Sequence, residues 1–178
     1  DAGAILIFVH RQTGWIQQAK IVPKDINSGD EFGSTLAISG NTLVVGVPKH
    51  NSVGEKAGAT YIFVRKGEEW HQQAKLTGSD TETKDQFGRD VAIDGNRVIV
   101  SAPLCNIPFP DGGAAYIFER KGQTWTQTAK LSSSDIAGFD WFGSTVALKE
   151  NLAVVGAIRE DGRLVSSDAG ATYIFRYI

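Results

Sequence analysis

The feature that most constrains this chain is a strict internal period. Phe32-Gly33 returns as Phe87-Gly88 and Phe142-Gly143, each step being 55 residues, and Trp15, Trp70, Trp125 and Lys20, Lys75, Lys130 keep the same step. A Gly-Ala-x-x-Ile-Phe box begins at Gly3, Gly58, Gly113 and Gly170, so only the last connection is longer, by two residues. A unit repeated this closely is one supersecondary element that cannot bury its apolar face alone and must stack on its neighbours.

Each period reads as four strands. Strand a is expected over 34–38, and a turn with Gly40-Asn41 leads into strand b, Thr42 to Val47. The equivalent turns are Asp94-Gly95-Asn96 and Lys149-Glu150-Asn151. Strand b is a continuous apolar run, which suits a strand covered on both faces. Strand c is the Gly-Ala box, ending at Arg65 or Arg120. Strand d starts at Trp70, with Trp70, Gln72, Ala74 and Leu76 expected on one face and His71, Gln73 and Lys75 on the other. Its polar residues and lysine mark d as the outer edge. Helical periodicity is absent. Four antiparallel strands per unit, joined by short turns, give an all-β fold of β-propeller blades. A β-solenoid, whose coils need about 20 to 30 residues, fits a 55-residue unit less well. The divisions are strands c and d of a split blade at 1–29, repeats at 30–84 and 85–139, and a third at 140–178 lacking strand d.

Composition excludes several functions. The 178 residues carry 18 Lys+Arg against 20 Asp+Glu, a net charge of -2, without the basic footprint of nucleic-acid binding. Hydrophobic content of 42% with 21% charged residues is that of a folded chain. One cysteine, Cys105, excludes an internal disulfide framework. No run approaches the roughly 18 apolar residues of a membrane helix. The sequence opens at Asp1 and has no methionine, from which a processed or excised start is expected.

Phe-Gly before a strand, then Val-Val-Gly-Val-Pro (44–48), Ile-Val-Ser-Ala-Pro (99–103) and Val-Val-Gly-Ala-Ile (154–158), then Gly-Ala-x-Tyr-Ile-Phe, resemble FG-GAP repeats of the bacterial type. Such repeats are the blades of the integrin α-subunit propeller and of many bacterial surface and secreted proteins. The resemblance spans essentially the whole chain. It implies an extracellular or cell-surface location, a non-enzymatic binding or adhesion role, and a ligand face formed by the b–c and d–a loops. Physical chemistry accounts for the motif residues as structure. Phe32, Phe87 and Phe142 would wedge between blades, the glycines Gly33, Gly88 and Gly143 would permit close approach or positive φ, and Trp15, Trp70 and Trp125 are recurring structural residues.

The integrin a–b turn is a calcium loop, whereas the turns here are too short and too poor in carboxylates for about six oxygen ligands. No metal or other cofactor is therefore expected. Asp25 and Asp30, Asp80 and Asp85, Asp135 and Asp140 stand five apart in each d–a connection. They read as acceptors for turn amides, because a catalytic pair is needed only once. His10, His50 and His71 lie outside any nucleophile motif, and no enzyme activity is expected.

On a repeated scaffold, specificity lies where the copies differ. The b–c connections differ most: Lys49, His50 and Asn51 in the first, Asn106, Ile107 and Phe109 in the second, Arg159, Glu160, Asp161 and Arg163 in the third. These are the candidate contacts for a protein or glycan ligand. Three blades fall short of the about four that a closed ring requires. The expected partners therefore also include copies of the chain or further blades of a longer one, and a structural subunit assembling head-to-tail or as a ring by strand-edge exchange is the alternative function.

Overall fold

The structure is a computed structural model that describes residues 2–106, 108–135, 137–159 and 169–177. Strands β1 (Ile5–Arg11) and β2 (Gly14–Ile21) form a hairpin. Blade 1 is a four-stranded sheet of β3 (Thr35–Ser39), β4 (Thr42–Val47), β5 (Ala59–Lys66) and β6 (Glu69–Leu76). Blade 2 repeats it with β7 (Val91–Asp94), β8 (Arg97–Ala102), β9 (Ala114–Lys121) and β10 (Thr124–Leu131). Blade 3 has β11 (Phe142–Lys149), β12 (Leu152–Ala157) and β13 (Ala171–Arg176). Within the sheets every pairing is antiparallel and in chain order, two isolated parallel bridges (Gly58 with Phe87, Gly113 with Phe142) join neighbouring blades, and the described residues contain no helix. This is a run of propeller blades without ring closure. Strand a of blade 1 begins one residue later than the apolar pattern suggested, at Thr35, because Ser34 remains in the turn after Phe-Gly and its amide donates to the Glu31 carbonyl.

The core lies between sheets. Val44 and Ile62 of blade 1 pack with Phe87, Val98, Tyr116 and Phe118 of blade 2, and Ile99 and Ile117 of blade 2 pack with Phe142, Val146 and Val155 of blade 3. Strand b is apolar throughout because it is covered on both faces. The Phe87 ring meets Phe118 edge-on at 6.1 Å and is fully buried, a contribution of about 3 kcal/mol from area alone. The two recurring motifs serve one junction: the amides of Phe32, Phe87 and Phe142 donate to the carbonyls of Ala2, Ala57 and Gly112, just before each Gly-Ala box. At Gly113, φ is +88° and a Cβ would lie 2.1 Å from the Phe142 carbonyl oxygen, so only glycine fits.

Strand d departs from simple alternation. Ile62 pairs with Ala74 but Phe63 with Gln72, leaving Gln73 as an extra residue, and the same bulge recurs at Gln18 and Thr128. The bulge turns Gln73 toward blade 2, where its Oε1 accepts the indole N–H of Trp125 at 2.8 Å. The tryptophans accordingly differ in burial. Trp125 lies against blade 1, and Trp70 packs with the core that the β1–β2 hairpin shares with blade 1. Trp15, in the same phase of the repeat, is 71% exposed, because no described sheet lies beyond that hairpin.

Candidate ligand-binding face

The b–c and d–a loops emerge at one end of the sheets, and the second is moulded onto the first. Lys84, Gln86 and Phe87 donate their amides to Glu55, Lys56 and Ala57 at 2.8, 3.3 and 2.9 Å. Phe139, Trp141 and Phe142 repeat the pattern with Pro110, Asp111 and Gly112 at 2.8, 3.2 and 2.8 Å. The residue before each Phe-Gly lies in the left-handed region, with φ of +63° at Glu31, +56° at Gln86 and +56° at Trp141, and the cross-blade ladder holds the amide of the last two. That region is unfavourable for a bulky L-residue and persists only when the surroundings impose it.

In blades 1 and 3 the side chain meets the residue that opens the b–c loop of the same blade. In blade 1, Lys49 Nζ lies 2.6 Å from Glu31 Oε1. In blade 3, the Arg159 guanidinium stacks over the Trp141 ring at 3.9 Å, a cation–π contact. In blade 2, Gln86 and Leu104 line a common cleft of about 320 Å³ that draws on all three blades. Pro103, Leu104, Trp141 and Ile158 form its apolar wall, and Lys49, Gln86, Arg89 and Ser144 its polar one. Arg89 stands in the phase occupied by Ser34 and Ser144. Among the described residues it forms no ion pair and no carboxylate lines the cleft.

The residues expected from sequence are dispersed. Lys49 lines the cleft, Arg159 caps its tryptophan, and Phe109 is exposed on the loop of blade 2. Asn51 and Asn106 share a phase, and their Oδ1 atoms accept the amides of Lys56 and Asp111 within their own loops. His50 is buried instead of displayed, edge-on to Tyr61 at 6.0 Å, because its loop turns the ring inward. Ile107, Glu160, Asp161 and Arg163 lie outside the described residues. Gln86, Arg89, Trp141 and Ser144 were not expected. The signal for three of them was available: an acid, an amide and an indole at 31, 86 and 141, and an arginine between two serines at 34, 89 and 144, within otherwise matched copies.

The paired aspartates have separate tasks. Asp30 and Asp85 each accept a turn amide at 2.8 Å, from Asn27 and Glu82, and Asp140 accepts that of Ala137. Asp25 and Asp80 instead take Lys75 and Lys130 from strand d at 2.7 and 2.6 Å, and Asp80 also takes the Tyr116 hydroxyl at 2.9 Å. Burial works to raise both carboxyls. The hydrogen bonds from Lys75, and from Lys130 and Tyr116, outweigh it and hold both below the usual aspartate value. Cys105, in phase with His50, is fully buried with its Sγ 3.6 Å from Lys130 Nζ, a location closed to substrate. Among the described residues no group of three or more His, Cys, Asp or Glu is placed to hold a metal ion.

The FG-GAP repeat family description matches residues 15–63, 70–118 and 125–175. A comparison with curated proteins returns no match. The matched segments take up most of the sequence and keep the phase of the Phe-Gly junctions, so the chain belongs to the FG-GAP repeat family.

Proposed function

We propose that this chain is a non-enzymatic binding module of an extracellular or cell-surface protein, taking a protein or glycan ligand on its b–c and d–a loop face. FG-GAP repeats are typical of β-propeller adhesion-type modules, usually extracellular and generally without enzymatic activity. No helix among the described residues is long and apolar enough to cross a membrane. The observation that carries the reading is the cleft at the blade junctions, where Arg89 has no ion pair among the described residues and a half-buried tryptophan at positive φ lines the wall. The test is retention on arrays of secreted proteins and glycans, comparing the chain with a loop-face variant (Phe109→Ser, Arg89→Ser, Trp141→Gln) and an opposite-face variant (Lys121→Ser, Glu119→Gln). Retention lost only in the first variant is expected. Equal retention by both would remove the loop face from consideration.

A second reading rests on a different observation. Ile174 is 69% exposed, whereas its counterparts Ile62 and Ile117 are fully buried against the next blade. On the other flank, Leu36 and Ile38 of β3 are exposed where Val91 and Leu148 are buried. The two flanks complement one another as the internal junctions do, so further repeats of the polypeptide or a second copy would cover them. Sedimentation over a range of concentrations decides between them: self-association that Ile174→Glu abolishes supports copies, and a constant monomer mass excludes them.

A further inference from the structure

We infer that the loop-face cleft, lined by Lys49 of blade 1 and by residues of blades 2 and 3, is a subsite for an acidic peptide segment, seating an Asp or Glu side chain at Arg89 with a neighbouring aliphatic side chain against Leu104 and Ile158. The inference rests on the loop-face reading and names the ligand chemistry of the same site.

Charge comes first. Lys49, Arg89 and Arg159 surround the cleft, and the one described carboxylate in contact with any of them, Glu31, is already held by Lys49 at 2.6 Å. Among the described residues Arg89 alone of the three has neither a carboxylate nor an aromatic ring against it, so it is the cation assigned to the ligand. Its planar fork suits bidentate recognition of a carboxylate. The apolar wall decides between sources of that carboxylate. A saccharide is best held by an open aromatic face, but one face of the Trp141 ring is covered by the Arg159 guanidinium at 3.9 Å. The remaining apolar lining, Leu104 and Ile158 among it, is aliphatic and matches a Leu, Ile or Val side chain. The volume, about 320 Å³, accommodates two side chains and leaves the backbone of a bound segment outside. Exposed Phe109 and Phe139 lie on the same loop face, where that segment would continue: the Phe139 amide donates to the Pro110 carbonyl next to Phe109.

The test uses the intact chain, labelled with ¹⁵N at its four tryptophans, and follows the Trp141 indole resonance, assigned by loss in Trp141→Phe. The probes are acetyl-Leu-Glu-Leu-amide, its glutamine analogue and glucuronate. The expected result is a saturable shift with the glutamate peptide, binding about tenfold weaker for the glutamine peptide, and loss of that difference in Arg89→Gln. Equal titration by the two peptides, or a difference that survives Arg89→Gln, overturns the inference. A shift with glucuronate and none with peptide overturns the peptide assignment and leaves the loop-face reading standing. No saturable shift with any probe overturns the subsite, and the array comparison then decides the loop-face reading independently.

Discussion

The Trp125 indole of blade 2 donates to Gln73 of blade 1 at 2.8 Å, and Gln73 is placed to accept only because it is the extra residue of a β-bulge. An edge irregularity thus becomes a pin between sheets. Replacing Gln73 with Leu orphans a partly buried donor and is expected to cost about 1–3 kcal/mol in urea denaturation. Gln73→Glu keeps an acceptor and should cost less. Equal losses in the two variants would show that the bond contributes nothing and that only side-chain volume matters.

The Asp80–Lys130 pair should stabilise more than Asp25–Lys75, although their separations are nearly equal. The Asp80 side chain is 32% exposed and that of Asp25 51%, so solvent screens the second pair more. Double-mutant cycles with Asp→Asn and Lys→Met should give a coupling of about 1–2 kcal/mol for the first and less than half of that for the second. Asp80 is depressed in the fold, so its contribution is complete above the ordinary aspartate value of 3.8 and fades as pH falls through the depressed one. Lys130 is raised, so its contribution is complete below the ordinary lysine value of 10.5 and fades only as pH rises through the raised one. Coupling that is flat between those limits and falls on the acid side is the expected profile.

Asp85 behaves oppositely to Asp80. Burial pushes its carboxyl up to about 6, and although Oδ2 accepts the Glu82 amide, Oδ1 is buried with no hydrogen-bond partner among the described residues. A raised carboxyl favours the fold below 3.8, and that contribution is lost as pH rises through about 6. Asp85→Asn should therefore raise stability by about 1–2 kcal/mol near neutral pH, with the gain vanishing in acid. Melting temperatures across that range test it, and a gain independent of pH would contradict the assignment.

Gly113→Ala should be among the most damaging single-methyl changes in the chain, because the added carbon meets the Phe142 carbonyl at 2.1 Å. A loss of about 3 kcal/mol or more is expected, or failure to fold. Gly122→Asn is the control: φ is +64° in open space, a conformation asparagine tolerates, so the change should be within about 1 kcal/mol. Comparable losses at the two sites would mean that φ alone governs them.

The architecture was legible because stacking residues must recur: Phe87 and Phe142 fill equivalent junctions, so their 55-residue step is the spacing of the blades themselves. The bulge was hidden, since Gln18, Gln73 and Thr128 are ordinary strand residues, and which residue is extra depends on pairing with strand c. The cleft was hidden for a different reason. Position 141 acquires its role from hydrogen bonds to a loop about 30 residues earlier, and no local pattern marks a tryptophan at positive φ. Lys49 and Arg159 could be singled out because loop residues that differ between copies are suspect. Their neighbours Gln86 and Trp141 escaped notice beside the invariant-looking Phe-Gly of each repeat.

The left-handed residue before Phe-Gly has a broader implication. At Gln86 and Trp141 its amide is held by a carbonyl of the preceding blade, and glutamate, glutamine and tryptophan all occupy the one conformational slot. Backbone and display are thereby decoupled at every junction. The residue pair 141 and 159 could be transplanted to 31 and 49, moving an indole–guanidinium surface from one blade to another while the scaffold beneath stays as it is. On the proposed loop-face reading, the surface offered to a ligand is set two residues at a time, by junction, and its variety grows with the number of blades.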